Sequence, residues 1–141
     1  MQDPTILVTD IIDPAAQEAI GGGLDRFNEE VTGINDRRPL AVVLRDPESG
    51  DALGGAIGRS SLGLLFLDLF FLPMPLRGSG LGTKILRLFE DEGRRRGCRS
   101  AVLYTISFQA PDFYARNGWR RFGEIPCDPD GTSRIFMTKA L

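Results

Sequence analysis

The spacing of apolar residues changes several times along this chain, and each change predicts an element. Thr5 to Thr9 (TILVT) reads as a short first strand. Asp13 is a candidate N-cap with Pro14 at the first helical position, opening a helical stretch that Gly21-Gly22-Gly23 interrupts. Leu24, Phe27, Asn28 and Val31 resume helical spacing up to Gly33. Leu40 to Arg45 and Ala52 to Arg59 then form a hairpin around the turn residues Asp46 to Asp51. The small residues Gly54, Gly55, Ala56 and Gly58 imply close backbone approach at the second strand. Leu64 to Leu72 is almost wholly apolar, the pattern of a strand covered on both faces, and Pro73 and Pro75 stop it. A helix follows from about Gly80 to Arg96, with Leu81, Ile85, Leu88 and Phe89 as its apolar stripe. Arg94-Arg95-Arg96 suits the negative end of that helix, and Gly97 suits its exit. Ser100 to Ile106 is a buried strand, and Pro111 opens a short helix that ends near Asn117-Gly118. Trp119 to Ile125 and Arg134 to Lys139 are the last strands. The order β-α-α-β-β-β-α-β-α-β-β predicts a mixed α/β sheet with helices on both faces.

Composition narrows the chemistry. The 141 residues suit a single domain spanning 1–141, and 42% hydrophobic with 26% charged residues is ordinary for a globular protein. No apolar run reaches the roughly 18 residues of a membrane span, and Met1 to Pro4 shows no signal-type core, which points to a cytoplasmic protein away from membranes. The chain has no histidine, so imidazole triads, histidine bases and His-containing zinc sites are excluded. No metal is expected. Cys98 and Cys127 have no motif spacing and read as two reduced thiols. Residues 1–76 carry 5 Lys and Arg against 12 Asp and Glu, whereas residues 77–141 carry 12 against 7. That asymmetry suits a polyanionic ligand on the basic half, although solvated faces also account for most single charges. Clustered bases with interleaved aromatics are missing, which argues against nucleic acid.

The strongest local signal lies between the apolar strand and the long helix: Arg77-Gly78-Ser79-Gly80-Leu81-Gly82-Thr83. Glycines let a backbone approach phosphate oxygens, and the start of a helix presents free amides and a positive dipole end. Two familiar nucleotide loops fail on spacing. A Walker loop needs lysine directly after its last glycine, but Thr83 intervenes before Lys84. The dinucleotide fingerprint counted from Gly78 finds Thr83 where its third glycine belongs. Arg77, Gly80 and Gly82 instead form an Arg-x-x-Gly-x-Gly pattern that resembles the CoA-binding signature of the GNAT superfamily of N-acyltransferases. A second segment agrees. Ser107 to Trp119 resembles that family's Asn-x-x-Ala-x-x-Phe/Leu-Tyr-x-x-x-Gly-Phe stretch through Ala110, Phe113, Tyr114 and Gly118. Trp119 stands where Phe or Tyr is usual, and Ser107 where Asn is frequent.

The resemblance implies the GNAT fold: a mixed, mostly antiparallel central sheet of about six to seven strands with helices on both faces. It also implies acetyl-CoA as cosubstrate and direct attack by an amine on the thioester. Arg77 to Thr83 would hold the pyrophosphate, Leu72 and Met74 would meet the pantetheine through their main chains, and Ser107 would take the place of the cofactor-contacting Asn. Backbone N–H groups near Leu72 would stabilise the oxyanion. Tyr114 would donate a proton to the departing thiolate, unless it simply anchors its helix by a hydroxyl hydrogen bond. Asp68, the only charge in its strand, is a candidate base or else the partner of an arginine, and water could accept the proton instead. Counted along the strand, Asp68 and Leu72 should share a face. The acceptor would be an amine on a small molecule or a peptide. Asp25, Glu29 and Glu30 could select a cationic one, or could be a solvated helix face. The last strands offer a surface on which two copies could pair into a homodimer. A non-catalytic acyl-CoA sensor or partner module would keep the same glycine turn.

Overall fold

The computed structural model describes residues 2–141, which divide into two compact units, one ending at Asn35 and the other running Asp36–Leu141. The first unit is helical. Asp13 caps α1 (Pro14–Gln17) by accepting the Ala16 N–H at 2.7 Å, with Pro14 in the first turn. The glycines do not end the helix. Glu18–Gly22 takes a π-helical turn with αR backbone on both sides and leads directly into α2 (Gly23–Thr32). Glycine lowers helix propensity but allows such a local widening, and Arg26 spans the turn to Glu18 at 3.2 Å. Gly33 closes α2 in the left-handed region, at φ 74°. The expected first strand is absent: Thr5 to Thr9 has no regular structure, and Ile6, Leu7 and Val8 are exposed. A short apolar alternation expresses pairing and burial rather than a backbone preference, and without a ladder it forms nothing.

The second unit is a six-stranded sheet in the order β1-β2-β3-β4-β6-β5. Its strands are β1 (Arg38–Arg45), β2 (Ala52–Ser61), β3 (Leu64–Phe71), β4 (Ser100–Ile106), β5 (Arg120–Cys127) and β6 (Thr132–Ala140). β3 and β4 run parallel, because α3 (Leu81–Arg95) carries the chain back between them; hairpins or short turns join the antiparallel pairs β1–β2, β2–β3 and β5–β6, and β6 returns past β5 to lie antiparallel beside β4. The short helix α4 (Pro111–Arg116) joins β4 to β5. No helix among the described residues is long and apolar enough to cross a membrane.

The core lies between the sheet and α3, with Leu65, Leu86, Phe89 and Met137 at or near zero exposure. The helix turns Ile85, Leu86, Phe89 and Gly93 inward. Leu88, expected in the stripe, is 49% exposed, and Leu86 takes its place. Close packing explains the small residues of β2. A Cβ on Gly58 would overlap the Phe66 carbonyl oxygen and come 2.8 Å from the tip of the Phe89 ring. Gly58→Ala should therefore cost about 3 kcal/mol in chemical denaturation, since neither a backbone carbonyl nor a buried ring can yield cheaply. A loss below about 1 kcal/mol would show that the ring has room to move.

The basic triplet serves the fold. Arg94 pairs with Asp91 at 2.8 Å and Arg95 with Glu92. Arg96 bonds Glu92 at 3.0 Å and reaches the carbonyls of Arg38 and Pro39 and the Ser60 hydroxyl at 3.1 to 3.3 Å. The Arg96 and Arg95 guanidiniums hold the Glu92 carboxyl below its usual range. One arginine thus ties the carbonyl end of α3 to the start of β1 and the end of β2.

Candidate active site

The site begins with a fault in the sheet. β3 extends to Phe71 and β4 to Ile106, yet they pair only over Leu64–Leu67 with Ser100–Leu103. The cause lies on the other edge of β3, where the register with β2 steps from Leu67↔Gly58 to Leu69↔Ile57. Asp68 is the unpaired residue of a β-bulge, which bends its strand and ends regular pairing. The bulge also shifts the side-chain alternation by one. Leu65 and Leu67 are buried before it, and Leu72 is buried after it with Phe70 packed against the core. Asp68 and Leu72 therefore do not share the environment that simple alternation predicts: Leu72 is 7% exposed and the Asp68 side chain 45%. Past Leu67 and Leu103 the facing main chains form no ladder with each other; beyond that point the Gln109 side chain accepts the Ile106 N–H at 3.0 Å.

From the end of β3 the chain passes through a 3-10 turn (Met74–Leu76) into the glycine-rich loop. Gly78 and Gly80 sit at φ 83° and 85°, where a side chain would be strained, and nothing lies within 4 Å of a Cβ built on either. Gly80 precedes α3 without any side-chain cap, and the first helical bond is Lys84 N–H to the Gly80 carbonyl at 3.1 Å. The amides of Leu81, Gly82 and Thr83 are thus the uncapped donors of this helix start. Gly82 serves packing instead. Its Cα faces the Leu72 and Phe113 side chains, which a Cβ would meet at 3.4 Å, and so it seats the first turn of α3. Arg77 turns back toward β3. Its Nε donates to the Leu72 carbonyl at 2.8 Å and its guanidinium lies 5.8 Å from the Phe71 ring centre. The Ser79 hydroxyl donates to the Leu76 carbonyl at 3.4 Å, and the Met74 carbonyl accepts the Arg77 N–H at 3.1 Å. Of the expected main-chain contacts, the carbonyls of Leu72 and Met74 are therefore engaged within the loop itself.

Tyr114 lies on α4 and is 7% exposed. Its ring packs against Phe113 at 5.2 Å, Trp119 at 6.1 Å and Phe70 at 6.3 Å between centroids, each near edge-on. Burial pushes its phenol up to about 12, so it stays protonated at neutral pH. No hydrogen bond to its hydroxyl occurs among the described residues, and that oxygen is not sealed from solvent. The tyrosine is held by ring packing, and its hydroxyl is left for another partner. Phe70 belongs to β3 beyond the last residue paired with β4, which brings Tyr114 to the splayed segment, while Phe113 joins it to Gly82.

The remaining candidates are spread more widely. The Ser107 hydroxyl accepts the Ser133 N–H at 3.0 Å and joins the end of β4 to β6. Asp68 receives Nη1 of Arg59 on both carboxylate oxygens at 2.9 Å, and that guanidinium also lies 4.1 Å from the Phe66 ring centre. Asp25, Glu29 and Glu30 lie on α2 in the first unit, where Glu29 accepts from the Asn35 amide at 3.1 Å. Cys98 and Cys127 are free thiols; burial, assisted by the nearby Asp36 charge, pushes the Cys98 thiol up and keeps it protonated. The arginine partner offered as the alternative for Asp68 is Arg59; sequence reasoning missed the aromatic wall of Phe70 and Phe113 and a buried network on Glu90. Glu90 carried a usable signal, since it stands four residues after Leu86 on the inward side of α3.

Known proteins agree with this arrangement. Residues 10–119 match the family model described as the Acetyltransferase (GNAT) family. Acetyltransferase Atu2258 of Agrobacterium fabrum is 31% identical over 133 residues, covering 94% of this chain and 96% of that protein. Blasticidin-S acetyltransferase of Streptomyces morookaense is 34% identical over 113 residues, covering 78% and 83%. A crystal structure from Agrobacterium tumefaciens superposes with a TM-score of 0.87 at 30% identity, covering 98% of this chain and all of that one. The chain therefore belongs to the GNAT family as an acetyltransferase of that type.

Proposed function

We propose that this acetyltransferase moves the acetyl group of acetyl-CoA to a primary amine, with Tyr114 as the acid that protonates the departing sulfur. The observation that carries the reading is the buried Tyr114 ring, whose hydroxyl has no bond among the described residues, beside the part of β3 that has left β4. The loop fits the donor. Gly78 and Gly80 leave open space where side chains would stand, three amides are uncapped, and Lys84 adds positive charge at the same end. Arg77, Gly78, Ser79, Gly80, Leu81, Gly82 and Thr83 would hold the pyrophosphate, and the main chain of Leu72 and Met74 would guide the pantetheine into the splay.

The cosubstrate supplies an activated acyl group, and the protein's own part is to orient it, exclude water and handle two protons. A phenol that stays protonated can donate a hydrogen bond to the negative charge developing on sulfur as the C–S bond breaks. Since the thiol's own value is about 8.5, full transfer from this phenol is uphill, and the phenolate regains its proton from water. The other proton leaves the amine. Asp68 is bidentate with Arg59 and half exposed, which suits charge fixation near the bulge; ordered water is the better acceptor for the amine's proton.

The carboxylates of Asp25, Glu29 and Glu30 support a cationic acceptor, and a relative named for blasticidin S supports beginning with small molecules. The test is CoA release from acetyl-CoA across a panel of cationic, neutral and peptide amines. Turnover should appear with a cationic amine, and replacing the three carboxylates by amides should raise its KM about tenfold with kcat little changed. If no amine is acetylated while acetyl-CoA still binds, the catalytic reading fails and a sensing role replaces it.

A further inference from the structure

The geometry points to Glu90 as a positioning residue that sets the orientation of Tyr114 through the indole of Trp119. Glu90 is 1% exposed on the inward face of α3, beside the fully buried Leu86 and Phe89. A carboxylate at such depth is tolerated only when its oxygens are matched by donors. Trp119 Nε1 donates to Oε2 at 3.1 Å, Lys139 Nζ donates to Oε1 at 2.7 Å, and Arg94 approaches Oε1 at 3.8 Å. Lys139 also donates to the Asn117 carbonyl at 2.8 Å, in the turn that links Tyr114 to Trp119.

Stability alone does not account for this arrangement. A phenylalanine at position 119 would fill most of the same space and need no acceptor, and apolar residues in place of a buried ion pair are often neutral or stabilising. What the network adds is direction. Among the described residues none bonds the Tyr114 hydroxyl, so its setting depends on the three rings around it. Phe70 and Phe113 have no polar atom to fix them. Trp119 is fixed at its nitrogen by Glu90, and its backbone N–H bonds the Tyr114 carbonyl at 3.0 Å. The indole therefore carries a constraint from α3 to the tyrosine. A small rotation of that ring would swing the hydroxyl away from the reacting sulfur, and misplacement on this scale is costly in rate.

This inference rests on Tyr114 acting as the acid, and the experiment separates the two. Steady-state kinetics would be measured for Trp119→Phe, for Glu90→Leu combined with Lys139→Met so that no buried charge is orphaned, and for Glu90→Gln. Each would be made alone and with Tyr114→Phe. Trp119→Phe and the Glu90–Lys139 pair should each lower kcat about tenfold with KM for acetyl-CoA within about twofold, the split expected of a group acting on the chemical step. Glu90→Gln keeps an acceptor for the indole and should recover most of that loss. With Tyr114→Phe present, none should cause a further fall. Trp119 is the only tryptophan, so its emission should shift to the blue in the Glu90→Leu, Lys139→Met protein, where the indole exchanges a charged acceptor for apolar neighbours, and stay close to wild type in Glu90→Gln. Wild-type kcat in Trp119→Phe, or a loss that simply adds to that of Tyr114→Phe, would overturn the positioning role. If Tyr114→Phe itself turns over normally, the acid assignment falls, and this role falls with it.

Discussion

In Gly80→Glu, acetyl-CoA should no longer raise the melting temperature, and its affinity should fall more than about a hundredfold, equivalent to about 3 kcal/mol. Two features make the effect large. Gly80 occupies the left-handed region at φ 85°, where an L-residue costs about 1 to 2 kcal/mol and the loop is pressed to rearrange. The new carboxylate would also stand at the uncapped start of α3, where it competes directly with phosphate for the amides and the helix field. The fold should survive, because nothing lies within 4 Å of a Cβ at that position. Gly80→Ala isolates the strain from the charge and should lose about tenfold or less. At a ligand concentration of about 100 times Kd, wild type gains about 2.7 kcal/mol from binding, so a missing thermal shift is easily seen. An unchanged shift in Gly80→Glu would mean that the pyrophosphate is held elsewhere.

That prediction draws on a motif legible in the sequence, and the contrast with less legible parts is instructive. Glycines at Gly78 and Gly80 mark backbone geometry directly, because only glycine enters positive φ without cost. The strands of the second unit were legible for a similar reason, since each is bounded by turn residues whose conformations are local. Thr5 to Thr9 failed because a strand requires a partner that no local pattern specifies. Gly21 to Gly23 misled in the opposite sense. Glycine weakens a helix without forbidding it, and the chain took a π turn there instead of stopping.

The bulge at Asp68 shows the limit most clearly. A single charged residue in an apolar strand is visible, but a register step against β2 is not, and it reversed the alternation beyond it. It also converts a buried-looking carboxylate into a half-exposed partner of Arg59. The β3–β4 ladder ends at the same step, so the loss of pairing and the broken alternation meet at one residue. Contacts assembled from distant residues were likewise out of reach. Phe70, Phe113 and Trp119 meet around Tyr114 only because β3, α4 and β5 converge, and Glu90 reaches Trp119 across 29 positions of sequence.

Tyr114→Phe removes one oxygen and should lower kcat about a hundredfold, within the range usual for loss of a general acid, while acetyl-CoA affinity stays within about twofold. Affinity is spared because the ring's packing on Phe70, Phe113 and Trp119 is preserved and the hydroxyl has no partner to lose among the described residues. The pH behaviour gives a second, independent reading. Burial pushes the phenol up to about 12, so the folded protein holds this proton more tightly than the unfolded chain, whose phenol titrates near about 10. The resulting stability is fully present below about pH 10 and is lost as pH rises from there toward about 12, amounting to about 2 to 3 kcal/mol. Other groups titrate in that window, so the quantity to measure is the difference between wild type and Tyr114→Phe. Wild type should lose more stability than the variant between about pH 9 and about pH 11.5. In kinetics, a protonated Tyr114 should support turnover up to about pH 10 or beyond, while the rise of kcat/KM at lower pH should follow deprotonation of the amine, whose reference value is about 10.4. Alkaline loss of kcat near about pH 8 to 9 that vanishes in Tyr114→Phe would place the phenol in a much wetter setting than its ring contacts describe. Full turnover in the variant would remove Tyr114 from the chemistry altogether and leave water to protonate the thiolate.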